Sequence, residues 1–214
     1  HIVSHGPNDL PTFGAFYNRA LKVRVGHGVQ ALKSQARQNL LLHRRRISIF
    51  DRVVTASEFE MNNRIADGFP ENKIWITGLP RFDKLPLERD HKSTRQTILY
   101  MPTWRDWWAD VGAYEDEFLA SVEDVLFAAP LQAALKRSDA RLILRLHKNM
   151  PARLQNKIAT RAIKAKRVKV SPKHEPLEPI VANADLLISD YSGVIWDFIY
   201  SKKPIILYQK DRTL

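Results

Sequence analysis

Four short segments of the 214-residue sequence combine residue types that handle protons and phosphate oxygens. Gly26, His27 and Gly28 follow the run 23–25. Pro102, Thr103, Trp104, Arg105 and Asp106 follow 98–101. Arg145, Leu146, His147 and Lys148 follow 142–144. Ser189, Asp190, Tyr191, Ser192 and Gly193 follow 186–188 and lead into a segment carrying Asp197. In open parallel sheets, ligands bind beyond the carboxyl ends of the strands. Four polar strand ends, three of them in one expected sheet, therefore point to one crevice.

The 189–193 turn offers hydroxyls and backbone N–H groups at a helix N-terminus, which is an anion site. Gly193 lets a phosphate approach the backbone closely. Asp190 and Asp197 disfavour phosphate; they suit a ribose or glycerol hydroxyl, or hold the turn together. Asp and Ser are also common helix caps, so a capping role for Asp190 and Ser192 stays open. A neutral imidazole at His27, between two glycines, is placed to take a proton from an attacking hydroxyl. The alternative is a loop histidine bonded to backbone. His147, ahead of Lys148, suits the steadying of a phosphate or leaving group more than a free base; the alternative is a satisfied strand-end histidine. His5, His43, His91 and His174 read as surface residues. Trp104, Trp107 and Trp108 read as packing and loop-anchoring groups, with stacking on a base as the other use.

The elements that must position these turns alternate. Strands are expected at 23–25, 52–56, 73–77, 97–101, 141–146, 168–170, 185–188 and 204–208. Helices are expected from Ser57, as cap, to Arg64, over 115–136 with a break near Pro130, from Pro151 to about Lys166, over 176–183 and over 193–200. Strands alternating with helices predict parallel sheets covered on both faces. The polar, Pro-containing stretch 80–94 reads as the link between a first domain, 1–85, and a second, 86–214. The length corresponds to about 1.4 typical domains. Because the chain stops at Leu214, soon after a strand, the second domain is expected to lack the final helices that cover its sheet.

Composition narrows the function classes. The chain is 44% hydrophobic and 27% charged, as in soluble globular enzymes, which excludes collagen-like and disordered classes. It has no Cys, so disulfides, thiol nucleophiles and Cys-based metal sites are excluded. No apolar run approaches the roughly 20 residues of a membrane span, and the start lacks a signal-peptide pattern, so a soluble or peripheral chain is expected. Lys and Arg number 34 against 23 Asp and Glu, a net charge of +11, which favours polyanionic partners or an anionic membrane face. One basic cluster comprises Arg19, Lys22, Arg24, Lys33, Arg37, Arg44, Arg45, Arg46 and Arg52, against Asp51 alone. A second comprises Arg153, Lys157, Arg161, Lys164, Lys166 and Arg167, and an acidic stretch Glu115, Asp116, Glu117, Glu123 and Asp124. No His/Asp cluster has metal-ligand spacing; no cofactor is expected, although Mg²⁺ can arrive with a pyrophosphate.

Taken in order, these motifs resemble the CDP-glycerol glycerophosphotransferase family of teichoic-acid and capsule polymerase-like enzymes. The similar segments are 54–59, then Gly78, Pro80, Arg81 and Asp83, then 98–106 through Pro102, Thr103 and Arg105, then Arg145 with His147, then 189–192 with Asp197 and Pro204. Two departures stand out. Residues 26–33 read Gly-His-Gly-Val-Gln-Ala-Leu-Lys where the family commonly has Trp-His-Gly-Thr-Pro-Leu-Lys, and Gly193 replaces a usual second Ser. The resemblance implies an α/β fold of two Rossmann-like lobes, glycosyltransferase-B type, with the donor between them and both lobes incomplete, the first represented only by its last part and the second lacking its end. It implies transfer of glycerol phosphate or ribitol phosphate from a CDP-activated donor to a polyol-phosphate or glycan acceptor, with release of CMP. His27 and His147 are then the catalytic pair. Gly28, Arg81, Pro102, Thr103, Arg105, Arg145, Ser189, Asp190, Ser192, Gly193 and Asp197 are the donor-binding set, with no metal ligand. The expected partners are the donor, a polyanionic polymer or glycolipid acceptor and an anionic membrane surface, without nucleic acid, at the inner face of the cell membrane. A nucleotide-sugar glycosyltransferase of the same fold is the alternative, and a basic nucleic-acid-binding domain a more remote one, since no recognition helix or stacking-aromatic signature accompanies the charge.

Overall fold

Nine short strands form two all-parallel sheets in a computed structural model that describes residues 2–4, 20–26, 28–29, 49–66, 68–85, 95–103 and 112–210. Internal contacts divide the chain into two units, His1–Lys84 and Leu85–Leu214.

In the first unit, β1 (Ile2–Ser4), β2 (Lys22–Val25), β3 (Arg52–Thr55) and β4 (Ile74–Ile76) lie side by side in sequence order. Adjacent residues of β3 are buried on opposite faces: Val53 packs with Phe50, Phe69 and Ile74, and Val54 with Val23 and Leu79. Such two-sided burial is the mark of a parallel sheet covered on both sides. Helix α1 (Glu58–Ala66) starts on a capping arrangement: the Ser57 hydroxyl accepts from the Glu60 N–H at 3.4 Å, and the Glu60 carboxylate accepts from the Ala56 N–H at 2.8 Å. Glu60 also pairs with Arg64 one turn on, at 3.6 Å, both side chains under 5% exposed. β1 has no counterpart among the strands expected from sequence.

In the second unit the order is β7 (Val168–Val170), β6 (Arg141–Leu144), β5 (Thr97–Met101), β8 (Leu186–Ser189), β9 (Ile205–Leu207). Helices α2 (Gly112–Leu126), α3 (Ala129–Arg137) and α4 (Ala152–Ala162) share one core with this sheet, including Tyr100, Phe118, Val122, Leu142, Leu144, Leu154 and Ile158. Leu99 and Leu187, one residue before Tyr100 and Ile188, project to the other face and are fully buried as well. Helix α5 (Leu177–Asn183) packs on β5, and α6 (Val194–Tyr200) on β8 and β9.

The 115–136 stretch breaks near Pro130 as expected, at 127–128, and Pro130 itself sits in the first turn of the second helix, where its missing N–H costs nothing. One helix expectation is corrected. α4 ends at Ala162, not near Lys166. Its last turn tightens through Lys164 N–H to Arg161 O and Ala165 N–H to Ala162 O, and Arg167 then takes a left-handed φ of 64°. Three residues of the acidic stretch and three of the second basic cluster pair with one another. Arg153 meets Glu115 at 2.8 Å, Lys157 meets Asp116 at 2.7 Å and Arg161 meets Glu123 at 2.9 Å, a ladder of ion pairs between α2 and α4.

Candidate active site

The strand order of the second unit reverses direction between β5 and β8, and a doubly wound sheet opens its ligand crevice at that switch point. The loops leaving these two strands are tied there by one carboxylate. Asp190 Oδ1 accepts from the Thr103 N–H at 2.9 Å and from the Tyr191 N–H at 2.7 Å. Ser189 adds a second tie, its hydroxyl donating to the Met101 carbonyl at 2.6 Å. Pro102, Thr103, Ser189 and Asp190 are all buried. Through its bonds to the Thr103 and Tyr191 N–H groups, Asp190 holds the turn together. Burial first, then the charge of Asp190, pushes the Tyr100 phenol far above its ordinary range, so it stays protonated.

Tyr191 and Ser192 are half-buried in this turn and Gly193 is exposed. The Ser192 hydroxyl accepts from the Val194 N–H at 3.4 Å. Gly193 has an ordinary φ of −61° and open space where a Cβ would stand. Asp197 lies within α6 and is 1% exposed.

One strand over, the 145–150 loop leaves β6. His147 Nδ1 accepts from the Asn149 N–H at 3.2 Å, so the ring nitrogen facing Asn149 carries no proton. The neutral ring then has its proton on Nε2 and is a hydrogen-bond donor there. The loop is pinned by Met150, 2% exposed, and by Gln155 Nε2, which donates to the Met150 carbonyl at 2.7 Å. Arg145 departs from a simple donor contact. Its guanidinium turns to the loop leaving β7, where it donates to Ser171 Oγ at 2.8 Å and to the carbonyls of Pro172, Lys173 and Glu175. Burial lowers its proton affinity, and the Glu175 charge opposes that. Ser171 and Glu175, with Ser171 Oγ donating to Glu175 Oε2 at 2.8 Å, are functional candidates that sequence reasoning missed. The signal was there: 171–175 is one more polar end on a strand of the same sheet.

In the first unit the corresponding edge gathers the loops after β2 and β4. The end of the Arg81 side chain lies against Gly28, where a Cβ would stand 3.4 Å from its guanidinium. Leu79, 3% exposed, anchors the 77–82 loop in the core, and Gly78 turns it at a φ of +78°. His27, Arg105, Trp104, Trp107 and Trp108 lie outside the described residues. Among the described residues no three His, Asp or Glu side chains gather as metal ligands, and no single helix is long and apolar enough to cross a membrane.

Among curated proteins the chain is similar to the teichoic acid glycerol-phosphate transferase of Staphylococcus aureus, with 29% identity over 153 residues, 65% of this chain and 36% of that protein. Among solved structures it resembles the wall teichoic acid polymerase TagF in a variant soaked with CDPG, at TM-score 0.60 and 18% identity over 92% of this chain and 50% of that one. It also resembles the UDP-GlcNAc 2-epimerase of Methanocaldococcus jannaschii, at TM-score 0.61 and 17% identity over 96% and 58% of the two chains. The chain thus spans about a third to a little over half of the length of these proteins. At such identities the solved structures speak for the fold alone, which is α/β and glycosyltransferase-B-like. The model of the CDP-glycerol:poly(glycerophosphate) glycerophosphotransferase family matches residues 19–214, and the chain belongs to that family.

Proposed function

We propose that the protein transfers a polyol phosphate, glycerol phosphate or ribitol phosphate, from a CDP-activated donor to the terminal hydroxyl of a polyol-phosphate or glycan acceptor. The observation that carries this reading is the pair of strand-end loops at the switch point, joined through Asp190, with the half-buried Ser192 and the exposed Gly193 beside them. Membership of a CDP-glycerol glycerophosphotransferase family supports a CDP-polyol as the ligand of that edge. His27 removes the proton of the acceptor hydroxyl. The freed oxygen attacks the polyol-bearing phosphorus in line, the bond from that phosphorus to the CMP oxygen breaks, and CMP leaves with the electron pair. His147, a donor at Nε2, Arg81 and the 192–193 turn stabilise charge on the pyrophosphate oxygens and the departing CMP. The protein carries no resident cofactor in this scheme, and any Mg²⁺ belongs to the donor. The cations of 19–52 hold the polyanionic acceptor and the anionic inner face of the cell membrane.

Release of CMP from CDP-glycerol and CDP-ribitol tests the reading. His27→Ala and His147→Ala should each lower kcat by on the order of 100-fold or more; near-normal turnover in both would remove the mechanism. The likeness to a UDP-GlcNAc 2-epimerase favours one other reading, a nucleotide-sugar enzyme. Calorimetry with CDP-polyols beside UDP-sugars separates the two.

A further inference from the structure

We propose that Arg145 is a positioning residue that acts on the donor through the 171–175 loop rather than by touching it. This role rests on the CDP-polyol donor proposed above. The Arg145 backbone N–H continues the sheet, donating to the Tyr100 carbonyl at 2.9 Å, and this fixes where the side chain starts. The residue is 9% exposed, and its fork spans one hydroxyl and three carbonyls of a single loop. Ser171 both receives from Arg145 and donates to Glu175, so the far end of the loop is held through the same cation. The Glu175 N–H to Pro172 O bond, 3.0 Å, closes the turn.

Orientation follows from peptide geometry. There is no cis peptide bond among the described residues, and in a planar trans peptide the N–H points away from the C=O. Drawing the Pro172 and Lys173 carbonyls onto the guanidinium therefore turns the Lys173 and His174 N–H groups outward. These donors sit at the end of β7, one strand from the loop that carries His147. A lysine at 145 keeps the charge, yet a single ammonium cannot span four acceptors in this fork.

Hydrogen exchange of the free protein, read with CDP-glycerol calorimetry, tests the proposal on Arg145→Lys and Ser171→Ala. Ser171 is 5% exposed, so any effect of its hydroxyl on the donor must travel through the loop. Arg145→Lys should speed exchange across 171–177 by roughly 10–100-fold and weaken CDP-glycerol by about tenfold or more, as expected for lost hydrogen bonds to a charged group. Ser171→Ala should move both readouts in the same direction by about fivefold. Weakened donor binding in Arg145→Lys, with unchanged exchange across 171–177 and a Ser171→Ala protein that binds as the wild type does, would make Arg145 a direct contact and overturn the proposal. Unchanged exchange in both variants would overturn the clasp itself. Failure of the wild type to bind CDP-glycerol would instead overturn the donor reading, and with it any action of the loop on that donor.

Discussion

At the scale of single residues, two glycines of the candidate site answer to different demands. Gly78 turns the chain at a φ of +78°, a conformation that strains any residue with a Cβ. Gly78→Ala should cost roughly 1–2 kcal/mol and lower the melting temperature by about 2–8 °C. Gly193 has no such need, because its φ is −61° and a Cβ added there would meet nothing within 4 Å. Gly193→Ser should therefore fold normally, with stability unchanged or raised by about 0.4–1 kcal/mol through a less flexible unfolded chain. It also restores the hydroxyl that the family usually carries at this position. If the turn holds the donor's phosphates, that hydroxyl should tighten CDP-glycerol by about fivefold, the equivalent of one modest hydrogen bond. Thermal melts and calorimetry on the two variants check both halves. A destabilised Gly193→Ser would mean that the turn is more crowded than its backbone implies.

At the scale of elements, the strands and their polar ends are legible in the sequence, since short β-branched runs followed by Gly, Pro, Ser or Asp announce both strand and turn. The expected bounds of β5 match the observed ones to the residue, and the Ser57 cap of α1 is readable because its chemistry is local. β1 escapes because three residues carry no period. The destination of the Arg145 side chain escapes for another reason: residue type fixes where a long side chain begins, not which of several neighbouring carbonyls its end will meet. The α2–α4 ladder is hidden likewise, its partners lying 38 to 41 residues apart. That ladder has a pH signature. The hydrogen bond from Lys157, then its charge, hold the Asp116 carboxyl below its ordinary value, and a bond from Arg167 does the same for Asp139. A carboxyl lowered on folding stabilises fully above its unfolded value of about 3.9, and that contribution drains away as the pH falls through the lower folded value. Melting temperatures of Asp116→Asn should thus fall below wild type at pH 6 and converge with it as the pH drops below about 4. Salt near 1 M, where the screening length is about 3 Å, should erase the difference at pH 6. Asp51, lowered first by the backbone N–H of Lys22, should show the same sign of pH dependence but less loss to salt. A gap between Asp116→Asn and wild type that persisted at about pH 2 would deny the ladder this role.

At the scale of the whole molecule, a net charge of +11 does not say where the charge is available. The ion-pair ladder neutralises Arg153, Lys157 and Arg161 within the second unit. In the first cluster, Lys22 is held by Asp51 at 3.2 Å, and Arg52 donates to the Asp51 carbonyl at 2.7 Å and lies over the Trp75 ring. Arg24 is partly buried, and that burial, followed by repulsion from Arg64, lowers its proton affinity. The other cations of 19–52, Arg44, Arg45 and Arg46 among them, lie outside the described residues, and the proposed attraction to an anionic surface is tested on those three. Each Lys or Arg near such a surface contributes about 1 kcal/mol, close to fivefold in affinity. Vesicles containing phosphatidylglycerol should bind the protein in low salt and release it as salt rises well above the physiological range. Reversing the three arginines together (Arg44→Glu, Arg45→Glu, Arg46→Glu) should weaken binding by on the order of 100-fold or more. Lys157→Ala, by contrast, should leave vesicle binding within about twofold, because its charge is already answered by Asp116. Equal losses from both changes would show that total charge, rather than its local neutralisation, governs the attraction. Binding that ignored salt altogether would remove the electrostatic account of the membrane.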